Sequence, residues 1–361
     1  MMRVVVTGGT GFIGSSVVRL LRAAKHEVRL LVRTGSQTDH LGAHDLELVE
    51  GDILEPGSLT STFQGFDCVV HIAGSLGRDP RSRRETWRVN VDGTVNVMNA
   101  ALAARVPKVV YTSSVVAVGS TLRGTEMLDE TCHWAAGKNV STYVRSKYTA
   151  QREARSIARR GLEFVSLNPA FTLGPGGDSS GSVGQLLSVF MGKLPGVLRG
   201  GVGVVDVREV ALAHLKAVES TLGVDRVILS AENHTLERLF AIASAIGGVV
   251  PPKVLPYALI LGLARATEAM AKLKPSLAER FNLELVDDAH RYWFVNNTLS
   301  RELLGMQYRS VRETVADTIR SALHDGRLEA TTPELEVLKE DAPIDLDLEM
   351  KRLAIQHSTN L

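Results

Sequence analysis

Short apolar runs alternate with amphipathic helical patterns through the first half of the chain. Six mainly apolar runs of strand length predict buried strands: Arg3–Thr7, Val28–Val32, Leu46–Glu50, Cys68–Ala73, Lys108–Ser113 and Glu163–Leu167. Three longer segments have helical spacing: Phe12–Ala24, Trp87–Ala104 and Tyr143–Arg160. Strands that alternate with helices favour βαβ units, whose right-handed crossovers build a parallel sheet. The pattern predicts an α/β protein with a doubly wound parallel sheet of the Rossmann type.

The second half of the chain is less regular and predicts a smaller lobe. Asp206 is expected to cap a helix at Val210–Thr221, and Ser310 a second helix at Val311–Leu323. Both residue types accept hydrogen bonds from the free N–H groups of a first helical turn.

The predicted organisation therefore has three parts. Residues 1–170 form the Rossmann domain, and Val204–Thr221 returns to it. Residues 171–328 form mainly the lobe over the carboxyl ends of the strands, and residues 329–361 form a separate extension.

The charge balance narrows the class of protein. The 361 residues carry 41 basic and 40 acidic side chains, for a formal net charge of +1. This balance argues against a nucleic-acid binder as a description of the whole chain. Two cysteines are too few for a disulfide framework. The N-terminus shows no leader pattern and no apolar run of about 18 residues occurs, so a cytoplasmic protein is expected.

The charge is distributed unevenly. Residues 329–361 carry eight acidic and three basic side chains, so the remaining body is basic. Pro333, Pro343 and the alternation Asp345–Leu348 predict an extended strap, either docked on the body or loose.

A glycine-rich turn follows the first strand and opens the first helix. Its glycines are spaced at three within Thr7–Gly14. Such a turn lacks the Cβ atoms that would keep a dinucleotide pyrophosphate from the free N–H groups of the helix N-terminus. The flanking strand and helix are the context that the motif requires, and a tight turn without ligand is the alternative. The cofactor-binding residues predicted here are Gly8, Thr10, Gly11, Phe12 and Ile13.

Arg33 indicates which dinucleotide is bound. It lies 19 residues after Gly14, close to where an acidic residue would bind an adenosine ribose 2′-hydroxyl. A guanidinium pairs with a 2′-phosphate, which a carboxylate would repel. NADP(H) is therefore favoured, NAD(H) stays possible, and a solvated loop arginine is the alternative.

Asp52 and Ile53 follow the third strand and form a second cofactor candidate. The carboxylate can accept from an adenine amino group while Ile53 packs on the ring. The alternative for Asp52 is a turn or a helix cap.

Tyr143 and Lys147 are four residues apart on a predicted helix and therefore share a face. A nearby ammonium lowers the pKa of a phenol, which suits proton transfer near neutral pH. The preceding strand ends at Thr112, Ser113 and Ser114, whose hydroxyls are expected at the crevice where doubly wound folds bind ligands.

These motifs together resemble the extended short-chain dehydrogenase/reductase family. They follow the order of that family: the turn Thr7–Gly14, Asp52, His71–Gly74, Asn90–Thr94, Thr112–Ser114 and Tyr143-x-x-x-Lys147. The resemblance implies that Tyr143 is the general acid/base and that Lys147 holds the nicotinamide ribose and tunes Tyr143. It implies that Ser114, five residues before Gly119, hydrogen-bonds the substrate oxygen, with Ser113 as the alternative.

The resemblance also implies roles for residues around this centre. Ala73, Tyr143, Lys147 and Pro169 join the cofactor-binding residues, and His71 is expected to be a structural histidine of the core. Asn90 is expected either to cap the next helical turn or to organise the strand ends near the site. No set of histidines has metal-ligand spacing, so no metal is expected.

Three features favour the reductase branch of the family over its sugar-nucleotide branch. Val115 and Val116 stand where sugar dehydratases place an acidic pair, and Val118 stands where sugar enzymes usually have tyrosine. The segment Leu167–Pro175 carries Asn-Pro and Gly-Pro elements of the reductases. Within the reductase branch, the segment Gly200–Leu215 resembles the same position in dihydroflavonol-4-reductase-like and 3β-hydroxysteroid-dehydrogenase-like proteins.

The resulting hypothesis is an NADP(H)-dependent oxidoreductase that interconverts a ketone and a secondary alcohol. Hydride would move between the nicotinamide and the carbonyl carbon of an apolar, ring-bearing small molecule, and one subtype adds loss of a neighbouring carboxylate. Apolar side chains are expected to line the substrate pocket of the lobe, or else to pack in its core. They are Trp134, Phe171, Leu173 and Phe190, with Met191 and Leu194 beside them.

Two alternatives remain open. A nucleotide-sugar epimerase would retain tightly bound NAD and act on a UDP-sugar. A non-catalytic, NADP-binding regulatory protein would bind the dinucleotide without ketone-dependent turnover.

Two segments indicate further contacts. The helix Tyr257–Leu273 begins with an apolar stretch that either packs in the lobe or makes peripheral membrane contact. The helices Trp87–Ala104 and Tyr143–Arg160 pair subunits in many relatives, so the resemblance implies a homodimer.

Overall fold

The strands form two sheets. The computed structural model describes residues 1–42, 46–77, 82–134, 140–178, 181–194, 196–271 and 283–359. Its strands are β1 Arg3–Thr7, β2 Glu27–Val32, β3 Glu47–Glu50, β4 Cys68–His71, β5 Lys108–Thr112, β6 Glu163–Pro169, β7 Phe171–Leu173, β8 Gly201–Asp206, β9 Arg226–Leu229, β10 Glu232–Thr235 and β11 Tyr292–Trp293.

The helices cover both faces of the first sheet and the lobe. They are α1 Phe12–Ala23, α2 Pro56–Phe63, α3 Arg83–Trp87, α4 Gly93–Ala103, α5 Thr142–Ala158, α6 Gly181–Leu187, α7 Val207–Glu219, α8 Leu236–Ile246, α9 Tyr257–Ala271, α10 Leu283–Ala289, α11 Thr298–Leu304, α12 Val311–His324, α13 Pro333–Glu340 and α14 Leu346–Thr359. Residues 272 and 273, where the sequence predicts the end of the ninth helix, lie outside the described residues.

The first sheet confirms the predicted fold class. In the described part of the chain it has seven parallel strands in the order β3-β2-β1-β4-β5-β6-β9. Successive residues of a strand face opposite sides, so Val4 and Val6 join the core under α1 and α7, whereas Val5 joins the core under α2, α4 and α5. The strand order reverses between β1 and β4, and doubly wound sheets bind ligands at this point.

The predicted helix Trp87–Ala104 is divided in the structure. Helix α3 ends at Trp87, a π-helical turn spans Arg88–Asp92, and α4 begins at Gly93. The Thr94 hydroxyl donates to the Asn90 carbonyl oxygen at 2.7 Å, which satisfies a backbone acceptor inside the wide turn.

The lobe contains the second sheet. Strand β8 pairs with β7 and β11 in parallel and with β10 in antiparallel orientation. Helix α7 follows β8 directly and returns to the first sheet, where it packs against α1. Asp206 and Ser310 cap their helices as predicted, but α7 begins at Val207, immediately after its cap.

The acidic extension is helical, so the predicted strap is wrong. Pro333 occupies the first turn of α13, where a missing N–H costs nothing, and Thr332 caps that helix. The side chain of Asp345 accepts from the Leu348 backbone N–H at 3.0 Å at the start of α14. The alternating acidic residues are therefore those of a helix N-terminus, where negative charge is favourable.

Candidate active site

The backbone around the glycine-rich turn leaves no room for a side chain at two of its glycines. Gly8 has a φ of +74°, and a Cβ on it would lie 2.5 Å from the Ala73 backbone nitrogen. A Cβ on Gly14 would lie 2.1 Å from the Gly8 carbonyl oxygen. Side chains at either position would force the first strand, the first helix and the end of β4 apart.

Gly11 differs from these two glycines. It is exposed, and a Cβ on it would meet only the Gly8 carbonyl oxygen, at an ordinary 3.5 Å. Among the described residues no side chain caps α1, and no acidic residue lies in its first turn. Open space beside free N–H groups at a helix N-terminus fits the pyrophosphate of a dinucleotide.

The neighbouring turn residues contact the core of the first sheet and the lobe. Thr10 is half-buried, and Ile13 packs against the sheet core. A Cβ on Gly177 of the lobe would lie 3.2 Å from the Phe12 ring, so that ring contacts both the turn and the lobe.

The residues predicted to hold the adenosine half lie after β2 and β3, and the predicted cofactor-binding residue Ala73 lies after β4. Arg33 is exposed, and no described residue hydrogen-bonds or ion-pairs with its side chain. The Asp52 carboxylate accepts from the Leu54 N–H at 2.9 Å, which is the turn geometry considered as its alternative role. Ile53 is buried against Gly93, and the Ala73 N–H donates to the Thr7 carbonyl oxygen at 3.1 Å.

Lys147 is buried at the carboxyl end of β5. Its Nζ donates to the Thr112 carbonyl oxygen at 3.1 Å, and only 6% of the residue is exposed. Burial disfavours the ammonium and lowers the pKa of Lys147 to about 8. The Nζ also lies 5.5 Å from the centre of the Tyr111 ring.

Tyr143 and Ser114 lie on the two elements beside this lysine. Tyr143 is half-buried on α5 and packs in a cluster that contains Val116 and Trp134. Ser114 is half-buried, and its hydroxyl oxygen caps the short 3-10 turn Val115–Ala117 by accepting from the Val116 N–H at 3.4 Å. Helix α5 packs directly on that turn.

Ser113 and Ser114 differ in what their hydroxyl groups contact. The Ser113 hydroxyl donates to Gln151 Oε1 at 2.6 Å and is buried, whereas Ser114 keeps an accessible side chain. This difference supports Ser114 as the substrate-facing serine. Gln151 escaped the sequence analysis, although it lies four residues after Lys147 and so shares its helical face.

His71 and Asn90 are held by internal hydrogen bonds. The imidazole lies 2.7 Å from the Thr7 hydroxyl and 3.0 Å from the Thr94 hydroxyl, and burial lowers the pKa of His71 to about 3. Asn90 donates to the Ser75 carbonyl and the Ser146 hydroxyl and accepts from the Ser75 N–H. It thereby connects the segment after β4 to α5, the helix that carries Tyr143 and Lys147.

Two carboxylates of α10 contact the N-terminus of α5. The sequence analysis did not predict this contact. Glu284 accepts from the Thr142 N–H at 3.1 Å, and Asp288 lies 3.4 Å from the Ser141 nitrogen. Burial raises the pKa of Asp288 to about 6. Their i, i+4 spacing was the available signal, but it does not reveal which helix they would contact.

The predicted pocket residues fall into two groups. Trp134 stacks on Tyr148 at 4.4 Å between ring centres, and its buried Nε1 has no partner in the described part of the chain. Phe171 is half-buried at the lobe core. Leu173 is completely buried in that core, which does not suit a pocket wall, whereas Phe190 is half-buried and packs against the core as Phe171 does.

The described residues offer neither a metal site nor a membrane-spanning helix. They contain no group of three or more His, Cys, Asp or Glu residues arranged to hold a metal ion. None of their helices is long and apolar enough to cross a membrane.

Comparisons with known proteins identify the family. The model of the NAD dependent epimerase/dehydratase family matches residues 4–227. The chain is 33% identical over 322 residues to a Synechocystis sp. protein provisionally named as a dihydroflavonol 4-reductase, covering 87% of this chain and 92% of that protein. It is 28% identical over 326 residues to sterol demethylase protein B of Methylococcus capsulatus, covering 88% and 97%.

A solved structure shares the fold over most of the chain. The crystal structure of gox2253 superimposes with a TM-score of 0.79 at 31% identity, covering 91% of this chain and 100% of that one. The chain therefore belongs to the NAD dependent epimerase/dehydratase family, which is the extended short-chain dehydrogenase/reductase family that its motifs indicate.

Proposed function

We propose that this protein is an NADP(H)-dependent oxidoreductase that interconverts a ketone and a secondary alcohol on an apolar, ring-bearing small molecule. The observation that carries the proposal is the buried Lys147 ammonium, one helical turn from Tyr143 and so close to Gly74 that a Cβ there would lie 3.2 Å from its Nζ. The names of the two relatives support a flavonoid-like or sterol-like substrate. A subtype in which a neighbouring carboxylate is also lost remains part of the proposal.

The proposed roles follow from the positions of the side chains. Tyr143 gives or takes the proton of the substrate oxygen, and the Ser114 hydroxyl polarises the same oxygen. The Lys147 ammonium favours the phenolate and holds the nicotinamide ribose. When bound, the dinucleotide supplies or accepts the hydride. Trp134, which packs in the same cluster as Tyr143, forms one apolar wall of the pocket in this proposal, and Phe171 and Phe190 of the lobe form the other.

The dinucleotide is proposed to lie along the carboxyl ends of β1, β2, β4 and β5. The turn Gly8–Ile13 takes the pyrophosphate, and Asp52 with Ile53 takes the adenine. Arg33, which is exposed and unpaired among the described residues, takes the 2′-phosphate. Ala73 and Pro169 border the nicotinamide side.

The proposal is tested with a panel of ketones and alcohols that includes sterols and flavonoids, monitored by NADPH absorbance. We expect Tyr143→Phe to abolish turnover and leave NADPH binding unchanged, because the ring is kept and only the acid/base hydroxyl is removed. Tyr148→Phe, five residues along the same helix, is the matched control and should remain active. Full turnover by Tyr143→Phe would refute the mechanism.

The same preparation discriminates the two alternatives. Tightly retained NAD with activity on a UDP-sugar would identify an epimerase. NADPH binding without ketone-dependent oxidation across the panel would identify a regulatory protein.

Two further contacts belong to the proposal. Helix α9 exposes Leu259 and Leu263 beside the exposed Arg265, which suits contact with an anionic membrane surface that holds an apolar substrate. Failure to co-sediment with anionic liposomes would refute that contact. The homodimer implied by the family through α4 and α5 predicts twice the chain mass in light scattering.

A further inference from the structure

A buried hydrogen-bond network lies behind the ends of β5 and β6. The Ser113 hydroxyl donates to Gln151 Oε1 at 2.6 Å, and Asn168 Nδ2 donates to the same oxygen at 2.8 Å. Asn168 Nδ2 also donates to the Ser114 carbonyl oxygen at 2.7 Å. The network therefore connects the strand end that carries Ser114 to the helix that carries Tyr143.

Burial makes each of these bonds costly to lose. Asn168 is completely buried, and only 5% of Ser113 and 9% of Gln151 are exposed. Removing the Gln151 oxygen would leave the Ser113 hydroxyl and one of the two Asn168 N–H groups without this acceptor, where water does not reach them. The two acceptors of Asn168 Nδ2 fix the orientation of the amide, and the Ser166 hydroxyl lies 3.2 Å from Asn168 Oδ1 and 3.1 Å from the Asp225 carbonyl oxygen.

The backbone ladder between β5 and β6 ends where this side-chain network begins. The last backbone bond between the two strands runs from the Ser113 N–H to the Leu167 carbonyl at 2.8 Å. Pro169 has no N–H with which to continue the ladder. The Asn168 side chain instead holds the next carbonyl, that of Ser114, which also accepts from the Ala117 N–H at 3.0 Å.

The helical end of the network is in register with the catalytic side chains. Tyr143, Lys147 and Gln151 follow at intervals of four on α5 and share one face. Gln151 thus ties that face to β6, and Asn168 ties β6 to Ser114.

We propose that Gln151 and Asn168 are positioning residues that hold Ser114 at its working distance from Tyr143. This role rests on the proposed function, since it concerns the same reduction. Both residues act through Ser114 and do not touch the reacting atoms. A displacement of about 1 Å at a catalytic group is enough to lower a rate about 100-fold.

The test is a double-variant kinetic cycle with Gln151→Met, which keeps the length of the side chain and removes the acceptor oxygen. We expect kcat for ketone reduction to fall about 10- to 100-fold, while the KM values for ketone and NADPH change by less than about threefold. In the Ser114→Ala background the same substitution should lower kcat by less than about threefold, because its target is already gone. Gln356→Met, on the exposed face of α14, is the matched control and should change nothing.

A second variant keeps the test decisive if Gln151→Met folds poorly. Gln151→Glu retains acceptor oxygens for Ser113 and Asn168 and should retain kcat to within about threefold. Active sites are counted by NADPH titration, so that a loss of folded protein is not mistaken for a loss of rate.

The outcomes separate this inference from the proposed function. If wild-type protein turns over ketones and the Gln151 and Ser114 effects multiply, the residues are only structural and the positioning role is overturned. If wild-type protein binds NADPH but reduces no ketone, the proposed function fails and this role fails with it.

Discussion

At the residue scale, burial sets the properties of Lys147. Its ammonium is almost inaccessible and is held by the Thr112 carbonyl oxygen. Burial favours the neutral amine and brings its pKa down to about 8. Burying the Lys147 ammonium therefore lowers the free energy of unfolding. Such a loss of stability is common where a residue is kept for function.

This cost should appear as a pH-dependent difference between wild type and Lys147→Met. Between pH 8 and 10.5 the unfolded lysine keeps its proton while the folded lysine releases it, so wild-type stability rises relative to the variant. The rise should reach about 3 kcal/mol, since one pKa unit corresponds to about 1.4 kcal/mol. Urea unfolding of both proteins at pH 7, 9 and 10.5 measures it. A difference that stays constant with pH would contradict the burial argument.

Arg33 allows a second test at a single residue. Arg33→Ala should weaken NADPH binding about 10- to 100-fold, the usual range for a charge-assisted hydrogen bond, and leave NADH binding nearly unchanged. Fluorescence titration measures both dissociation constants. Arg312→Ala, an exposed arginine of α12, is the control. Tighter binding of NADH than of NADPH by the wild type would reject the NADP(H) assignment.

The site residues that could be predicted from the sequence are those whose motif lies within a few consecutive residues. The glycine turn and the pair Tyr143 and Lys147 can be recognised within a few residues. Gln151 and Asn168 cannot, because they lie 17 residues apart and meet only when α5 and β6 adopt their packed register. Hydrogen bonds of this kind depend on three elements at once, and no spacing within one element predicts them.

At the element scale, one buried guanidinium holds three helices together. Arg208 lies in the first turn of α7 and pairs with Asp206 at 2.7 Å and with Asp317 of α12 at 2.6 Å. It also lies 3.5 Å from Glu349 of α14. Asp206 is completely buried and caps α7 as well, so its charge depends on this arginine.

Arg208→Met should destabilise the protein by about 3–5 kcal/mol, because it leaves the buried carboxylate of Asp206 unpaired. Urea unfolding measures the loss. Arg312→Met, on the exposed face of α12, should change stability by less than about 0.5 kcal/mol. Equal effects of the two variants would show that the Arg208 cluster contributes no net stability.

The elements themselves were partly predictable. Caps such as Asp206 and Ser310 are local signals, and the structure confirms both. The extension was misread because alternating Asp and Leu at Asp345–Leu348 is compatible with a strand or with an acidic helix start. Packing against α1 decides in favour of the helix, and that contact is invisible in the sequence.

At the scale of the whole molecule, the acidic extension contributes to the lobe core and to the core under α1 and α7. Leu335 of α13 is completely buried in the lobe core, and Met350 of α14 is completely buried in the core of the first sheet. Asp347 pairs with Arg19 of α1 at 3.1 Å. The near-neutral total charge thus combines a basic body with an acidic segment that is folded onto it.

Met350→Ala should therefore cost about 2–5 kcal/mol, the range for a fully buried methionine. Ile355→Ala on the same helix is the matched control, because Ile355 is 65% exposed and should change stability by less than about 0.5 kcal/mol. Thermal and urea unfolding measure both. Equal, small effects would mean that α14 is not part of the folded core in solution.

Because a Cβ at Gly11 has room, a substitution there can separate folding from dinucleotide binding. A methyl group there has room within the chain, whereas a methyl group at Gly14 would collide with the backbone. Gly11→Ala should consequently yield a normally abundant protein that no longer accommodates a dinucleotide, and Gly14→Ala a scarce one. In a host that carries the gene, rescue of a deletion phenotype by Gly11→Ala would reveal a task that needs no cofactor. Failure to rescue at normal abundance would tie the physiological role to the dinucleotide.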